Sequence, residues 1–296
     1  MKVGFVGLGL MGLPMAERLI AAGNALFVSS GNQAAAEAVR AAGGTVLDNV
    51  AAVAREVDVF CSCRVTPAHS QAVFLGDDGV VSHGKAGTIC IDFATIDPAT
   101  SRQIAAELGQ AGMPYIDAPV SGGPDGAVAG TLSIIAGGPQ HAIDAARPLF
   151  DAVGKRVFHL GDSGAGVMAK LCNNMISITT HALVAEAMVL GTKAGLDPRA
   201  LYEVLYSSSG YSRTLERVVP NHFLTRNFEA AATVETVKKD LECAIDTARA
   251  LGVRLVVPNS ALQCYVETVG LGHADKDIAS VILPMEAIAG VKVGPA

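Results

Sequence analysis

The sequence contains no tryptophan, only 5% aromatic and 17% charged residues, and carries a formal net charge of −6. A surface that grips nucleic acid needs clustered cations and rings on which bases stack, so this composition argues against such a partner. The six cysteines, Cys61, Cys63, Cys90, Cys172, Cys243 and Cys264, include no C-x-x-C pair. That removes the usual zinc and disulfide frameworks and leaves reduced, buried thiols as the expectation. His69, His83, His159 and His181 show no ligand spacing and no G-x-S-x-G nucleophile motif occurs, so no metal site and no serine nucleophile are expected. No apolar run reaches the ~18 to 20 residues needed to cross a bilayer. Met1-Lys2 leads directly into a strand-like run without a signal-peptide pattern, so the expectation is a cytoplasmic protein with no membrane partner.

What is present is apolar content, 50% of the 296 residues, enough for two separate cores. As far as about Gly161, short Val/Ile-rich runs alternate with Ala-rich helical stretches: Val3–Val6, Leu26–Val28, Val57–Cys61, Thr88–Ile91, Tyr115–Ala118, Ser133–Ala136 and Arg156–His159. This alternation predicts a mostly parallel sheet covered by helices, with room for mixed or antiparallel edges among the later strands. Beyond Gly161 strand signals almost vanish. Apolar residues recur at helical spacing from Gly166 through Lys193, a helix of about 42 Å if continuous. It stops at Gly195-Leu196-Asp197-Pro198, a glycine terminator followed by an Asp cap and a first-turn proline. Further helices are expected over Pro198–Tyr206, Val234–Leu251, Pro258–Thr268 and Ile278–Ala289.

Gly7-Leu8-Gly9-Leu10-Met11-Gly12 follows the first strand and opens an amphipathic run, Leu13–Ala22, that closes on Gly23. Strand, glycine turn and helix in that order form the dinucleotide fingerprint. Gly7 permits the tight turn, Gly9 lets backbone amides approach a diphosphate, and Gly12 lets the helix pack closely, while the helix N-terminus favours the anion. These signals define an α/β fold: an N-terminal Rossmann domain, 1–162, joined by a long helix to an all-α domain, 163–296, for substrate and oligomerisation.

A second chemistry-bearing segment is Gly164-Ala-Gly166-Val-Met-Ala-Lys170-Leu-Cys-Asn173-Asn174. Lys170 lies one helical turn after Gly166, and Asn173 and Asn174 fall three and four positions later, so one face carries an amine and two amides. An ordinary buried helix would place Leu or Ala there, because a desolvated polar group without a partner costs about 1 to 3 kcal/mol. A lysine beside a cofactor cation and away from bulk water has its pKa lowered toward neutrality, which suits proton exchange with a carbinol oxygen. A third segment, Asp117-Ala-Pro-Val-Ser121-Gly122-Gly123-Pro-Asp-Gly126-Ala, continues to Gly130-Thr-Leu. Ser121 offers a hydroxyl and the glycine pair exposes amides that suit a small carboxylate; Gly/Pro density alone marks only a turn.

With Gly7–Ala16, Asp117–Gly123, Gly164–Asn174 and Lys239-Asp240-Leu241 in this order, the chain resembles the β-hydroxyacid dehydrogenases over nearly its whole length. That family includes 3-hydroxyisobutyrate dehydrogenase and 2-hydroxy-3-oxopropionate reductase. The resemblance implies hydride transfer between NAD or NADP and a small β-hydroxy acid or its semialdehyde, in a homodimer or homotetramer. It implies Lys170 as the catalytic lysine, with Ser121, Gly122, Gly123 and Asn174 on the substrate. The glycine turn (Gly7, Leu8, Gly9, Leu10, Met11, Gly12), Thr95 and Lys239 fall to the cofactor, with the reaction in a cleft between the domains. Without the resemblance, Lys238-Lys239-Asp240 also fits a solvated helix face.

The chain departs from the family at three places. Alanine stands at 94 where serine is usual, and glycine at 31 where many NADP users carry arginine. Arg64 replaces an apolar residue, as a phosphate partner or a plain surface arginine. The ribose-reading position is acidic for NAD or has a nearby arginine for NADP; here Ser30 and Asn32 can bond either a 2′-hydroxyl or a 2′-phosphate. Other readings are a catalytically silent dinucleotide-binding scaffold, since a Rossmann domain proves only binding, and an imine reductase on related architecture.

Overall fold

In the computed structural model, which describes residues 1–295, the chain divides into two compact units, Met1–Leu171 and Cys172–Ala296. The first unit runs β1 (Lys2–Val6), α1 (Gly12–Ala21), β2 (Ala25–Ser29), α2 (Gln33–Ala41), β3 (Thr45–Val46), α3 (Val50–Glu56), β4 (Val59–Ser62), α4 (Pro67–Leu75), α5 (Val80–His83), β5 (Ile89–Asp92), α6 (Pro98–Gln110), β6 (Tyr115–Asp117), β7 (Val120–Ser121), α7 (Gly123–Ala129), β8 (Leu132–Ala136), α8 (Gln140–Val153) and β9 (Gly154–His159). A 6-stranded sheet in the order β3-β2-β1-β4-β5-β6 is parallel throughout. A 3-stranded sheet, β7-β8-β9, follows, with β7 antiparallel to β8.

Alternation along β1 shows why the larger sheet is covered on both faces. Val3 and Phe5 enter one core with Met15, Leu19, Leu132 and Phe150. Val6 enters the other with Val53, Phe60, Phe74 and Tyr115. Strands buried on both sides read as the short apolar runs of the sequence. Half of the helix starts are set by side-chain caps: Asn32, Asn49, Thr66, Asp97, Asp197, Ser212 and Thr233 each accept a first-turn backbone N–H. Among those without one, α1 begins on Met11 and α7 on Gly122.

Helix α9 (Ala165–Lys193) starts in the first unit and continues through the second, followed by α10 (Pro198–Ser207), α11 (Arg213–Val218), α12 (Val234–Ala250), α13 (Val257–Gly270) and α14 (Ile282–Ala289). In the second unit Ile178, Ala182, Ala185 and Met188 of α9 recur at helical spacing inside a core with Leu215, Val219, Phe223, Leu241 and Tyr265. Among the described residues this unit has no strand, only an isolated bridge between Thr233 and Asp277.

Several boundaries and elements differ from the sequence reading. Val57 ends α3 in an extended conformation, and β4 starts only at Val59. The two-residue strands β3 and β7 are too short for a periodic signal. No element is expected between Tyr206 and Val234, yet α11 forms there and widens into a π-helical turn, Val219–Phe223, around Pro220. Proline has no N–H for the regular ladder, which favours such a local widening. Ile278–Val281 is a 3-10 turn and not the start of α14. The expectation of no span-length apolar segment also needs correction: α9, at 29 residues and a mean hydropathy of 1.3 over its best window, is long and apolar enough to cross a membrane. Met, Ile, Leu, Val and Ala outweigh the asparagines and threonines in that average, although they break the run. Only 33% of the window is buried.

In the second unit, the buried Tyr265 hydroxyl donates to the Ile178 carbonyl at 2.8 Å, tying α13 to α9. Tyr265→Phe is expected to lower stability by about 1 kcal/mol, measured as a shift in the urea midpoint at unchanged slope.

Candidate active site

Five of the six loops at the C-terminal edge of the parallel sheet carry a chemistry-bearing segment. Gly7–Gly12 follows β1, Ser30–Asn32 follows β2, Cys63–Thr66 follows β4, Thr95 follows β5, and β6 ends on Asp117 just before Ser121. Ligands of open α/β sheets bind at this edge, where the strand order reverses; here the reversal falls beside β1.

The three glycines of the first turn have different causes. Gly7 has φ +100 and a side chain there would run into the Cys63 carbonyl. At Gly12 a Cβ would collide with the Gly7 carbonyl and approach Phe5 to 3.1 Å. Protein packing therefore explains both. A Cβ at Gly9 would meet nothing within 4 Å, so protein atoms do not demand glycine there. The open space would let a diphosphate lie against the backbone, and the start of α1 without a side-chain cap leaves main-chain donors for it. The residues thus fit a dinucleotide.

After β2, Ser30 and Asn32 are partly used locally. Asn32 Oδ1 accepts from Ala35 N at 3.2 Å and Ser30 Oγ accepts from Asn32 N at 3.1 Å. The Ser30 hydroxyl also donates to the Asn32 carbonyl at 3.4 Å, so the donor left for a ribose is the Asn32 side-chain amide. Thr95 is half-buried behind a turn in which Asp92 Oδ1 accepts from Ala94 N at 3.1 Å.

Lys170 is only 8% exposed, on the first turns of α9. Its position is set by Asp117, whose role the sequence reading did not foresee. Asp117 Oδ1 accepts from Gly164 N at 2.7 Å and Oδ2 accepts from Val167 N at 2.8 Å, so the carboxylate at the end of β6 caps the helix that carries the lysine. The Asp117 backbone pairs in both directions with Gly137 beyond β8, at 3.0 and 2.8 Å. Glycine is required on both sides of this joint. A Cβ at Gly166 would strike the Ile135 carbonyl and come within 2.8 Å of the Asp117 carbonyl, and one at Gly137 would lie 2.7 Å from Gly166 N. The start of α9 is therefore packed backbone to backbone on β6 and β8.

Ser121 is half-buried and pairs with Ser133 at the end of β7. Gly122 and Gly123 follow with φ +143 and +68 and open α7, whose first amides lack a side-chain acceptor. These are suitable donors for a carboxylate. The segment is anchored to the cofactor helix by Arg18 of α1, also unforeseen. Its Nε donates to the Ala152 carbonyl at 2.7 Å and Nη1 to Val128 at 3.1 Å, while its guanidinium fills the place of a Cβ at Gly130.

In the second unit, Asn174 Nδ2 donates to Asp240 Oδ2 at 2.6 Å. The other oxygen of this buried carboxylate pairs with Lys239 Nζ at 2.6 Å. Asp240 thus brings Asn174 and Lys239 together, where the sequence shows only a charged helix face. Asn173, expected beside Lys170 and Asn174, is exposed and donates to Asn174 Oδ1 at 3.1 Å.

A Rossmann sheet with this glycine turn defines a dinucleotide-binding protein, and comparison with known proteins makes the class specific. Residues 2–161 match the NAD binding domain of 6-phosphogluconate dehydrogenase, and 164–285 match the NAD-binding region of NADP-dependent 3-hydroxyisobutyrate dehydrogenase. The chain is 36% identical to the NAD-dependent L-serine dehydrogenase of Pseudomonas aeruginosa over 286 residues, covering 95% of this chain and 96% of the relative. The 3-hydroxyisobutyrate dehydrogenase of the same organism is 37% identical over 255 residues, 84% and 86% of the two chains. The solved 3-hydroxyisobutyrate dehydrogenase of Mycobacterium tuberculosis with L-serine superposes with a TM-score of 0.88 at 30% identity, over 96% of this chain and 98% of that one. The chain belongs to the β-hydroxyacid dehydrogenase family, as its motifs imply, and is an NAD(P)-dependent oxidoreductase.

Burial raises the Asp117 pKa from 3.8 to about 6, against the opposing pull of the Gly164 and Val167 amides. The folded value lies above the unfolded one, so the stability this group contributes is fully present below pH 3.8 and lost as pH rises through about 6. The carboxyl resonance of Asp117 is expected to titrate near pH 6. The stability advantage of the wild type over Asp117→Asn should shrink between pH 4 and 7, by at most about 3 kcal/mol, as read by denaturant titration.

Proposed function

We propose that the chain interconverts a small β-hydroxy acid and its semialdehyde, with Lys170 as the group that exchanges the carbinol proton. The nicotinamide, when bound, supplies or accepts the hydride at C4. Lys170 accepts the hydroxyl proton in oxidation and returns it in reduction. Ser121 and the amides of Gly122 and Gly123 hold the carboxylate and so set the reacting β-carbon, two bonds from the carboxyl carbon. Asn174, one turn beyond Lys170 on α9, is assigned to the substrate and Lys239 to the cofactor. The observation that carries this reading is the buried Lys170 on a helix whose start is bolted to the strand that leads into the Ser121 loop. Fixed orientation of amine and carboxylate cradle is the main catalytic device such a site offers.

We further propose that a second copy of the chain covers α9. Ile176, Leu183 and Leu190 lie one heptad apart on one face and are 67%, 61% and 72% exposed. Such a stripe is a self-complementary surface for a symmetric dimer.

Lys170→Ala is expected to keep cofactor affinity within a few-fold while lowering kcat about 10²- to 10⁴-fold, the usual worth of general acid–base catalysis. Near-normal turnover, measured by absorbance of the reduced nicotinamide with a panel of hydroxy acids, would remove the assignment. Leu183→Glu combined with Leu190→Glu should reduce the mass measured by light scattering after gel filtration to that of one chain. An unchanged mass, or wild type eluting as a single chain, would sink the dimer.

A further inference from the structure

Family membership accounts for the main-chain amides of the glycine turn but not for the charge of the diphosphate they face. Hydrogen-bond donors from backbone cradle an anion without neutralising it. Near this turn the candidate cations are few. Arg18, although it lies on α1, is consumed by the Ala152 and Val128 carbonyls. Position 31, after β2, is glycine.

Arg64 remains. It stands two residues past the end of β4, where Cys63 N donates to the Val6 carbonyl at 2.8 Å and fixes the backbone against the end of β1. The Cys63 carbonyl is pressed onto Gly7, and Arg64 Cδ lies 3.2 Å from the position a Gly7 Cβ would take. The side chain therefore runs along the first glycine of the turn. Arg64 is half-buried and has no hydrogen-bond or ion-pair partner among the described residues. A half-buried guanidinium with five donors and no acceptor is an unusual thing to leave beside a turn built for an anion.

We infer that Arg64 is a counter-ion of the dinucleotide diphosphate, a role that rests on the dinucleotide-binding reading of this turn. The diphosphate is favoured over the 2′-phosphate by topology. The ribose-reading segment Ser30–Asn32 follows β2, on one side of β1, whereas Arg64 follows β4, on the other. The planar guanidinium bonds two phosphate oxygens at once, a geometry that an apolar residue at this place cannot supply and a lysine supplies only as a point charge.

The test is fluorescence titration of wild type, Arg64→Leu and Arg64→Lys with NADH and NADPH separately. The leucine variant is expected to bind both cofactors about ten- to a hundredfold more weakly, by similar factors, as befits the loss of charge-assisted hydrogen bonds. The lysine variant should fall between. A loss confined to NADPH would place Arg64 on the 2′-phosphate and overturn the inference, as would unchanged affinities in both variants. Failure of the wild type to bind either cofactor would instead overturn the dinucleotide reading, and the role of Arg64 with it.

Discussion

One carboxylate, that of Asp117, holds the candidate site residues of the first unit together. It receives the Gly164 and Val167 amides at 2.7 and 2.8 Å and so fixes the first turn of α9 against β6. Lys170 lies one turn beyond Val167, and Ser121 four residues beyond Asp117 itself. The amine and the cradle are thereby referred to a single buried point. Helix N-termini favour negative charge, yet burial pushes this group's pKa up to about 6, so desolvation outweighs the amide bonds. Such a joint is tolerable where a defined orientation has functional value.

The glycines around this joint act with it. Gly137 and Gly166 leave room for backbone to meet backbone, much as Gly7 and Gly12 do in the nucleotide turn. Gly9 differs, because no protein atom crowds it. Arg18 then links the helix that starts at the glycine turn to the C-terminal end of α7 and of α8, so these segments share one frame. In the second unit Asp240 has a comparable task, holding Asn174 and Lys239 with its two oxygens.

How much of this was legible depends on the range of the interaction. The glycine turn, the parallel sheet and the long helix were readable because each rests on local spacing: strand, G-x-G-x-x-G, helix, and apolar residues at 3.6 periodicity. The family motifs brought Lys170, Ser121 and Lys239 forward. Asp117 stood in plain view in the same motif, but its partners lie 47 and 50 residues away, and no periodicity announces a contact of that kind. Arg18 and Asp240 escaped for the same reason: a lone charge on a helix reads as solvated until its partner is known. The short strands β3 and β7 and the π-helical turn at Pro220 offered too few residues for a pattern to form. Asn173 was placed beside Asn174 by helical spacing, yet one position of rotation, about 100°, put it in solvent.

The central claim is that an amine fixed through Asp117 meets the reacting hydroxyl. A crystal structure with NAD(P) and a bound β-hydroxy acid tests it most directly. The account predicts Lys170 Nζ within hydrogen-bond reach of the carbinol oxygen, about 2.6 to 3.2 Å, with the carboxylate against Ser121 and the Gly122-Gly123 amides. A carbinol oxygen served by another proton donor, with Lys170 more than one water away, would contradict it.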